Sequence, residues 1–141
     1  MNKFNKLTED VSACAQIFPE QIDFIKETGF KSIICNRPDM EKPGQPFCED
    51  IRKEAEAAGI TYENLPMRPG QLTHELIEGM KSAFEKLPKP ILIHCATGTR
   101  STMLWCFVHV KELGVDGVLN AAKNAGYDLE KIRPALTQFN A

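Results

Sequence analysis

Short apolar runs and amphipathic stretches alternate along this chain. Val11–Ala15, Lys31–Asn36 around Ile33-Ile34-Cys35, Ile60–Leu65 and Ile91–His94 are brief runs bounded by glycine, proline or polar residues. Their length fits buried strands better than helices. Between them, apolar residues recur at helical spacing. Pro19 opens a helix that buries Ile22, Phe24 and Ile25 and stops at Gly29. A second helix runs from about Phe47 to Ala58 and ends at Gly59. Thr73 caps a third, with Leu76, Ile77, Met80, Phe84 and Leu87 on its inner face. The segment after Ser101 (Met103, Leu104, Trp105, Phe107, Val108) is apolar nearly all round, so it predicts a buried helix. Val115–Asn124 and Asp128–Phe139 predict two more, the last kinked or broken by Pro134.

Strands separated by helices imply an α/β fold: a mostly parallel central sheet flanked by helices. With 141 residues, 43% of them apolar, one domain over residues 1–141 is expected. Functional loops in such sheets lie at the C-terminal ends of the strands. The loops holding Arg37, Arg68 and Cys95 all begin there, so one shared site is expected.

A net charge of −2 offers no footprint for nucleic acid or an anionic membrane. No apolar leader opens the chain, and no stretch approaches the ~18 apolar residues of a membrane span, so a cytoplasmic protein without membrane insertion is expected. The five cysteines are odd in number and lack C-x-x-C spacing, which argues against a disulfide framework, a metal site or a cofactor held by thiolates. Cys35 and Cys106 read as small core residues, and Cys14 and Cys48 as structural ones. His74 reads as a surface residue, His109 as padding of a buried helix and Trp105 as core.

Chemistry concentrates in Pro90-Ile-Leu-Ile-His94-Cys95-Ala96-Thr97-Gly98-Thr99-Arg100-Ser101-Thr102. A strand, a tight loop and a helix N-terminus in succession aim several backbone N–H groups at one spot. Cys95 puts a thiol there and Arg100 a planar cationic fork suited to an oxyanion. A thiolate is the reactive form, and helix termini and arginine favour it. Ala96, Thr97, Gly98 and Thr99 supply the loop amides, Gly98 letting the backbone turn inward. Ser101 is placed to steady the sulfur, and His94 to orient the loop as a supporting residue rather than act as a base. Arg37 and Arg68 are candidate substrate contacts.

The His-Cys-x-x-Gly-x-Arg-Ser run resembles the signature of cysteine-dependent, dual-specificity-like phosphatases. Together with Ile34-Cys-Asn-Arg37-Pro38-Asp39, Pro43-Gly-Gln-Pro46 and Leu65-Pro-Met-Arg-Pro69-Gly70-Gln71, it resembles the bacterial beta-lactamase-hydrolase-like phosphatase domains, also known as DUF442 or sulfurtransferase-like proteins. The resemblance implies a dual-specificity-phosphatase-like fold. Two departures stand out. Four residues separate Cys95 from Arg100, where the phosphatase loop has five. The loop at 66–72 also lacks the carboxylate that serves related phosphatases as general acid, leaving Asp39 or Glu41 as substitutes.

Both departures suit sulfur transfer, since a shorter loop holds a persulfide well and sulfite or thiolate leaves without protonation. The leading expectation is a rhodanese-type sulfurtransferase with catalytic Cys95, Arg100 and Ser101. A small-molecule sulfur donor and a thiol acceptor or cyanide would be its partners, with association with sulfide-oxidising enzymes allowed by the resemblance. The alternatives are a phosphatase working through a cysteinyl-phosphate, and an anion- or phosphoprotein-binding module with little turnover.

Overall fold

In the computed structural model, which describes residues 3–141, the apolar runs line up as one five-stranded sheet. Met1 and Asn2, which begin the N-terminal segment read above, lie outside the described residues. The strands are β1 (Asn5–Lys6), β2 (Val11–Cys14), β3 (Ser32–Cys35), β4 (Thr61–Asn64) and β5 (Ile91–His94). Their order is β1-β2-β5-β3-β4; β2, β5, β3 and β4 run parallel, and β1 closes one edge antiparallel to β2. The mostly parallel sheet flanked by helices is therefore as expected. β1 is the element that the apolar pattern does not predict, because its Asn5 and Lys6 are polar and are held by backbone pairing with Ala13 and Ser12.

Five helices cover the sheet: α1 (Ile22–Thr28), α2 (Cys48–Ala57), α3 (His74–Lys86), α4 (Thr99–Asn124) and α5 (Arg133–Asn140). Successive strand residues point to opposite faces. Val11, Ala13, Ile34, Ile91 and Ile93 pack with Met80, Phe84, Trp105 and Leu136 of α3, α4 and α5. Ile33, Cys35 and Leu92 pack on the other face with Ile22, Ile25, Ile51 and Ala55 of α1 and α2. Strands buried on both faces read as continuous apolar runs for this reason. Each buried Ile or Leu contributes roughly 1.5–3 kcal/mol.

Local signals place most element ends. Gly29 takes φ 111° and terminates α1, and Thr73 Oγ1 accepts from Leu76 N at 3.1 Å to cap α3. Two readings change. α4 starts at Thr99 and runs to Asn124, its helical course interrupted at Gly114 (φ 78°, ψ 164°), so the expected Val115–Asn124 helix is its second half. The expected Asp128–Phe139 helix is divided into a 3-10 turn, Glu130–Ile132, and α5, with Pro134 in the first turn of α5. In a first helical turn its missing N–H leaves no hydrogen bond unmade. Among the described residues, no helix is long and apolar enough to cross a membrane.

Candidate active site

β5 delivers Cys95 to the C-terminal edge of the sheet, fully buried. The chain then turns through Ala96 and Thr97 to Gly98, whose φ of 101° is open to glycine and strained for other residues. That turn points the Gly98 N–H at Cys95 Sγ, 3.1 Å away. A side chain at Gly98 would also collide with the Tyr127 ring, which packs directly behind the loop. Tyr127 Oη accepts from Asn5 Nδ2 at 2.9 Å, so the unforeseen β1 helps brace the loop from behind. The Ala96 carbonyl accepts from Gln16 N at 3.1 Å. Thr102 closes the first turn of α4 on the Gly98 carbonyl through its N–H (3.0 Å) and hydroxyl (2.8 Å).

Arg100 stands in that first turn with its guanidinium already engaged. Nη1 and Nη2 donate to Glu41 Oε2 and Oε1 at 2.9 and 3.0 Å, and Nη1 also donates to the Met67 carbonyl at 2.8 Å. Arg37 Nε donates to the same Glu41 Oε1 at 2.8 Å, while its Nη1 reaches Gln16 Oε1 at 3.1 Å. One carboxylate thus bridges two arginines, all three side chains largely buried. The Arg100 hydrogen bonds, then those of Arg37, hold the Glu41 carboxyl below its ordinary range. Glu41 in turn pushes the Arg100 pKa up, with a further contribution from Cys95. Met40, the residue before Glu41, takes φ 65° and leaves its own side chain exposed. That left-handed step is costly for a non-glycine residue.

The structure brings Cys95, Ala96, Thr97, Gly98, Thr99, Arg100 and Arg37 together, and moves other candidates out of their expected roles. Ser101 Oγ donates to Asn36 Oδ1 at 2.8 Å. A hydroxyl has one proton to give, so Ser101 does not donate to the sulfur. Asp39 Oδ1 accepts the Cys48 N–H at 2.8 Å at the start of α2. Arg68 is exposed and lines a separate hollow with Pro38, Pro66 and Gln71. The His94 carbonyl accepts from Asn36 N at 2.8 Å, a backbone role in the loop's support.

Asn36 is the residue that the sequence reading passed over. Fully buried, it donates Nδ2 to the Leu65 carbonyl at 2.9 Å, accepts Ser101 Oγ, and joins its backbone to His94 and Met67. It ties together the ends of β3, β4 and β5 and the start of α4. A polar residue closing an apolar strand was the available signal. Gln16 and Tyr127 carried none, because each acts through a partner distant in sequence.

Beside the cysteine loop lies a hollow of about 360 Å³, lined by Gln16, Phe18, Arg37, Lys42, Ala96 and Thr97 among others. Two cations, Lys42 and the ion-paired Arg37, stand among its lining, and it lies along Ala96 and Thr97 of the Cys95 loop. The 66–72 loop carries no carboxylate, and Glu41 is ionised in its ion pair. Among the described residues, the arrangement sets a thiol at the loop, a guanidinium fork engaged by Glu41 in the next helical turn, and no carboxylate on the 66–72 loop.

A family described as "Beta-lactamase hydrolase-like protein, phosphatase-like domain" matches residues 3–111. The chain belongs to this family. A beta-lactamase hydrolase-like protein of Agrobacterium fabrum is 31% identical over 100 residues, covering 71% of this chain and 23% of that protein. The chain therefore spans less than a quarter of the length of that relative. A crystal structure from Neisseria meningitidis, described as a candidate phosphatase, superposes with a TM-score of 0.86 at 32% identity, covering 95% of this chain and 96% of that one. The catalytic core of Siw14, a PP-IP phosphatase from Saccharomyces cerevisiae, superposes with a TM-score of 0.66 at 17% identity, over 97% of this chain and 92% of that one, and thus shares the fold. The dual-specificity-phosphatase-like fold inferred from the Cys95–Ser101 motif is accordingly the fold of this family. These likenesses favour the phosphatase alternative over the sulfurtransferase expectation, to which they add nothing.

Proposed function

We propose that this domain is a cysteine-dependent phosphatase. The observation that carries the reading is the Cys95 loop, with the Gly98 N–H on the sulfur and the Arg100 fork in the adjoining helical turn, on a fold shared with phosphatases. Cys95 attacks phosphorus as a thiolate, the S–P bond forming as the ester P–O bond breaks. Amides of residues 96–100 and the Arg100 guanidinium hold the non-bridging oxygens, where charge-assisted bonds are strongest. Water then cleaves the S–P bond, releasing inorganic phosphate and the thiolate. Glu41 occupies the fork of Arg100 at rest, so the incoming anion displaces it. With no acid positioned, the favoured substrates are those whose leaving group departs as a stable anion, such as aryl phosphates or phosphoanhydrides.

The four-residue spacing between Cys95 and Arg100 favours a second reading, sulfur transfer through a Cys95 persulfide. The sulfur donor, the thiol acceptor and any sulfide-oxidising partner belong to that reading. One experiment separates the two. After quenched incubation with para-nitrophenyl phosphate, intact mass should rise by about 80 Da on Cys95, and Cys95→Ser should abolish the adduct. An adduct of about 32 Da after thiosulfate, without phosphoenzyme, would decide for sulfur transfer.

A further inference from the structure

A row of register partners crosses the sheet beside the Cys95 loop: Cys14 on β2, His94 on β5, Cys35 on β3 and Asn64 on β4. The proposed reaction uses none of their side chains. Cys48, the first residue of α2, closes over this row, its Sγ 3.7 Å from Cys35 Sγ and 3.8 Å from Asn64 Oδ1. Both thiols also face the Arg37 carbonyl, at 3.3 Å from Cys35 and 3.7 Å from Cys48. The buried His94 Nε2 makes no hydrogen bond. Cys35 and Cys48 bracket the 36–47 segment, which carries Arg37 and Glu41.

We infer that Cys35 and Cys48 are a redox modification site, closing reversibly to a disulfide at the root of the loop that carries Glu41. The two thiols are differentiated as such a reaction requires. The Cys48 hydrogen bond, with help from His94, lowers the Cys35 pKa against the cost of burial, while the same interaction and burial raise that of Cys48. Cys35 is thus the thiol favoured to ionise and Cys48 the one favoured to keep its proton. Hydrogen peroxide is the oxidant. The Cys35 thiolate attacks one peroxide oxygen, the O–O bond breaks, and the departing hydroxide takes a proton and leaves as water. The Cys48 sulfur then displaces hydroxyl from the Cys35 sulfenic acid, and that hydroxyl leaves as water with the Cys48 proton. Two thiols lose two electrons and one peroxide becomes two waters.

Bond formation must close the 3.7 Å gap to about 2.05 Å. The movement falls on the α2 N-terminus and on the Arg37 carbonyl, which both sulfurs face. Closing the ring restrains the Glu41 loop, so Glu41 leaves Arg100 less readily. This second consequence rests on the anion-site reading above; the disulfide itself does not.

The test uses the full chain carrying Cys95→Ser, so that oxidation of the nucleophile cannot interfere. Hydrogen peroxide should give a mass loss of about 2 Da against the reduced protein; alkylation of the unfolded chain should then add two fewer groups than to the reduced protein and leave one peptide linking Cys35 to Cys48, all reversed when dithiothreitol precedes alkylation. Sulfate affinity should fall several-fold in the oxidised form. Adding Cys48→Ala or Cys35→Ser should remove both effects. Linkage through Cys14 or Cys106, or separate additions of oxygen to Cys35 and Cys48 without a link, overturns the proposal. A Cys35–Cys48 link that leaves sulfate affinity unchanged overturns the loop restraint. Failure to trap phosphoenzyme on Cys95 would overturn the phosphatase reading and leave the mass result standing.

Discussion

Glu41 places both carboxylate oxygens on the Arg100 fork, at 2.9 and 3.0 Å, although 59 residues separate the two in sequence. The group expected to hold an external oxyanion therefore holds an internal one. Arg37 adds a second cation to the same carboxylate at 2.8 Å.

Glu41→Gln should raise sulfate affinity at neutral pH about tenfold, because a neutral amide competes less for two guanidinium groups. It should also cost about 2 kcal/mol of stability, the size of one hydrogen bond to a charged group. Titration calorimetry and denaturant melts read both quantities. Weaker sulfate binding in the variant would mean that Glu41 positions Arg100 and does not compete for it.

The same pair sets a pH dependence. The Glu41 pKa is lowered in the folded protein, so its contribution to stability is present above the ordinary carboxylate range and lost as pH falls through the folded value. Sulfate binding to the wild-type protein should therefore strengthen only as pH falls below the ordinary carboxylate range and through the lowered Glu41 value, while Glu41→Gln shows no such rise.

Substrate preference follows from the missing acid. General-acid help is worth 10²–10⁴-fold for a poor leaving group. The kcat/KM for aryl phosphates should exceed that for alkyl phosphates by about that margin. A steep dependence of rate on leaving-group pKa should accompany it. Equal rates on both substrate types would reveal a proton donor that the resting geometry conceals.

Gly98→Ala strains a left-handed position and drives a Cβ into the Tyr127 ring. It should cost about 2–4 kcal/mol and remove most turnover. Tyr127→Ala in the same chain should recover part of the stability, since the collision disappears while the strain stays. Stability losses that simply add would show that the two residues do not meet.

Ser101→Ala leaves the buried Asn36 Oδ1 without its donor. The expected loss is about 1–3 kcal/mol of stability, and kcat should fall only as far as the loop loosens. A large fall in kcat with unchanged melting would instead restore Ser101 as a direct partner of the sulfur.

Local rules go far in this chain. The strands β2, β3 and β5 follow from short apolar runs and β4 from the segment between Gly59 and Pro66, the Thr73 cap and the Gly29 stop from single residues, and the turn at Gly98 from the need for positive φ beside a helix start. The nucleophile and the arginine are legible for the same reason: they share one loop. Sheet order, with β5 between β2 and β3, is not legible in this way and belongs to the tertiary structure.

What folding decided is which charges and hydroxyls meet. Residues 36–47 form a polar loop with prolines at 38, 43 and 46 and no repeating apolar period, so nothing local says where Glu41 or Asp39 ends up. The path of that loop sends Glu41 to Arg100, spends Asp39 on the α2 N-terminus and sets Cys48 against Cys35. Ser101 likewise finds Asn36 across 65 residues of chain. Hydrophobic periodicity is written every two to four residues and survives in any window of sequence, whereas an ion pair or a buried hydrogen bond depends on where two distant backbones come to rest.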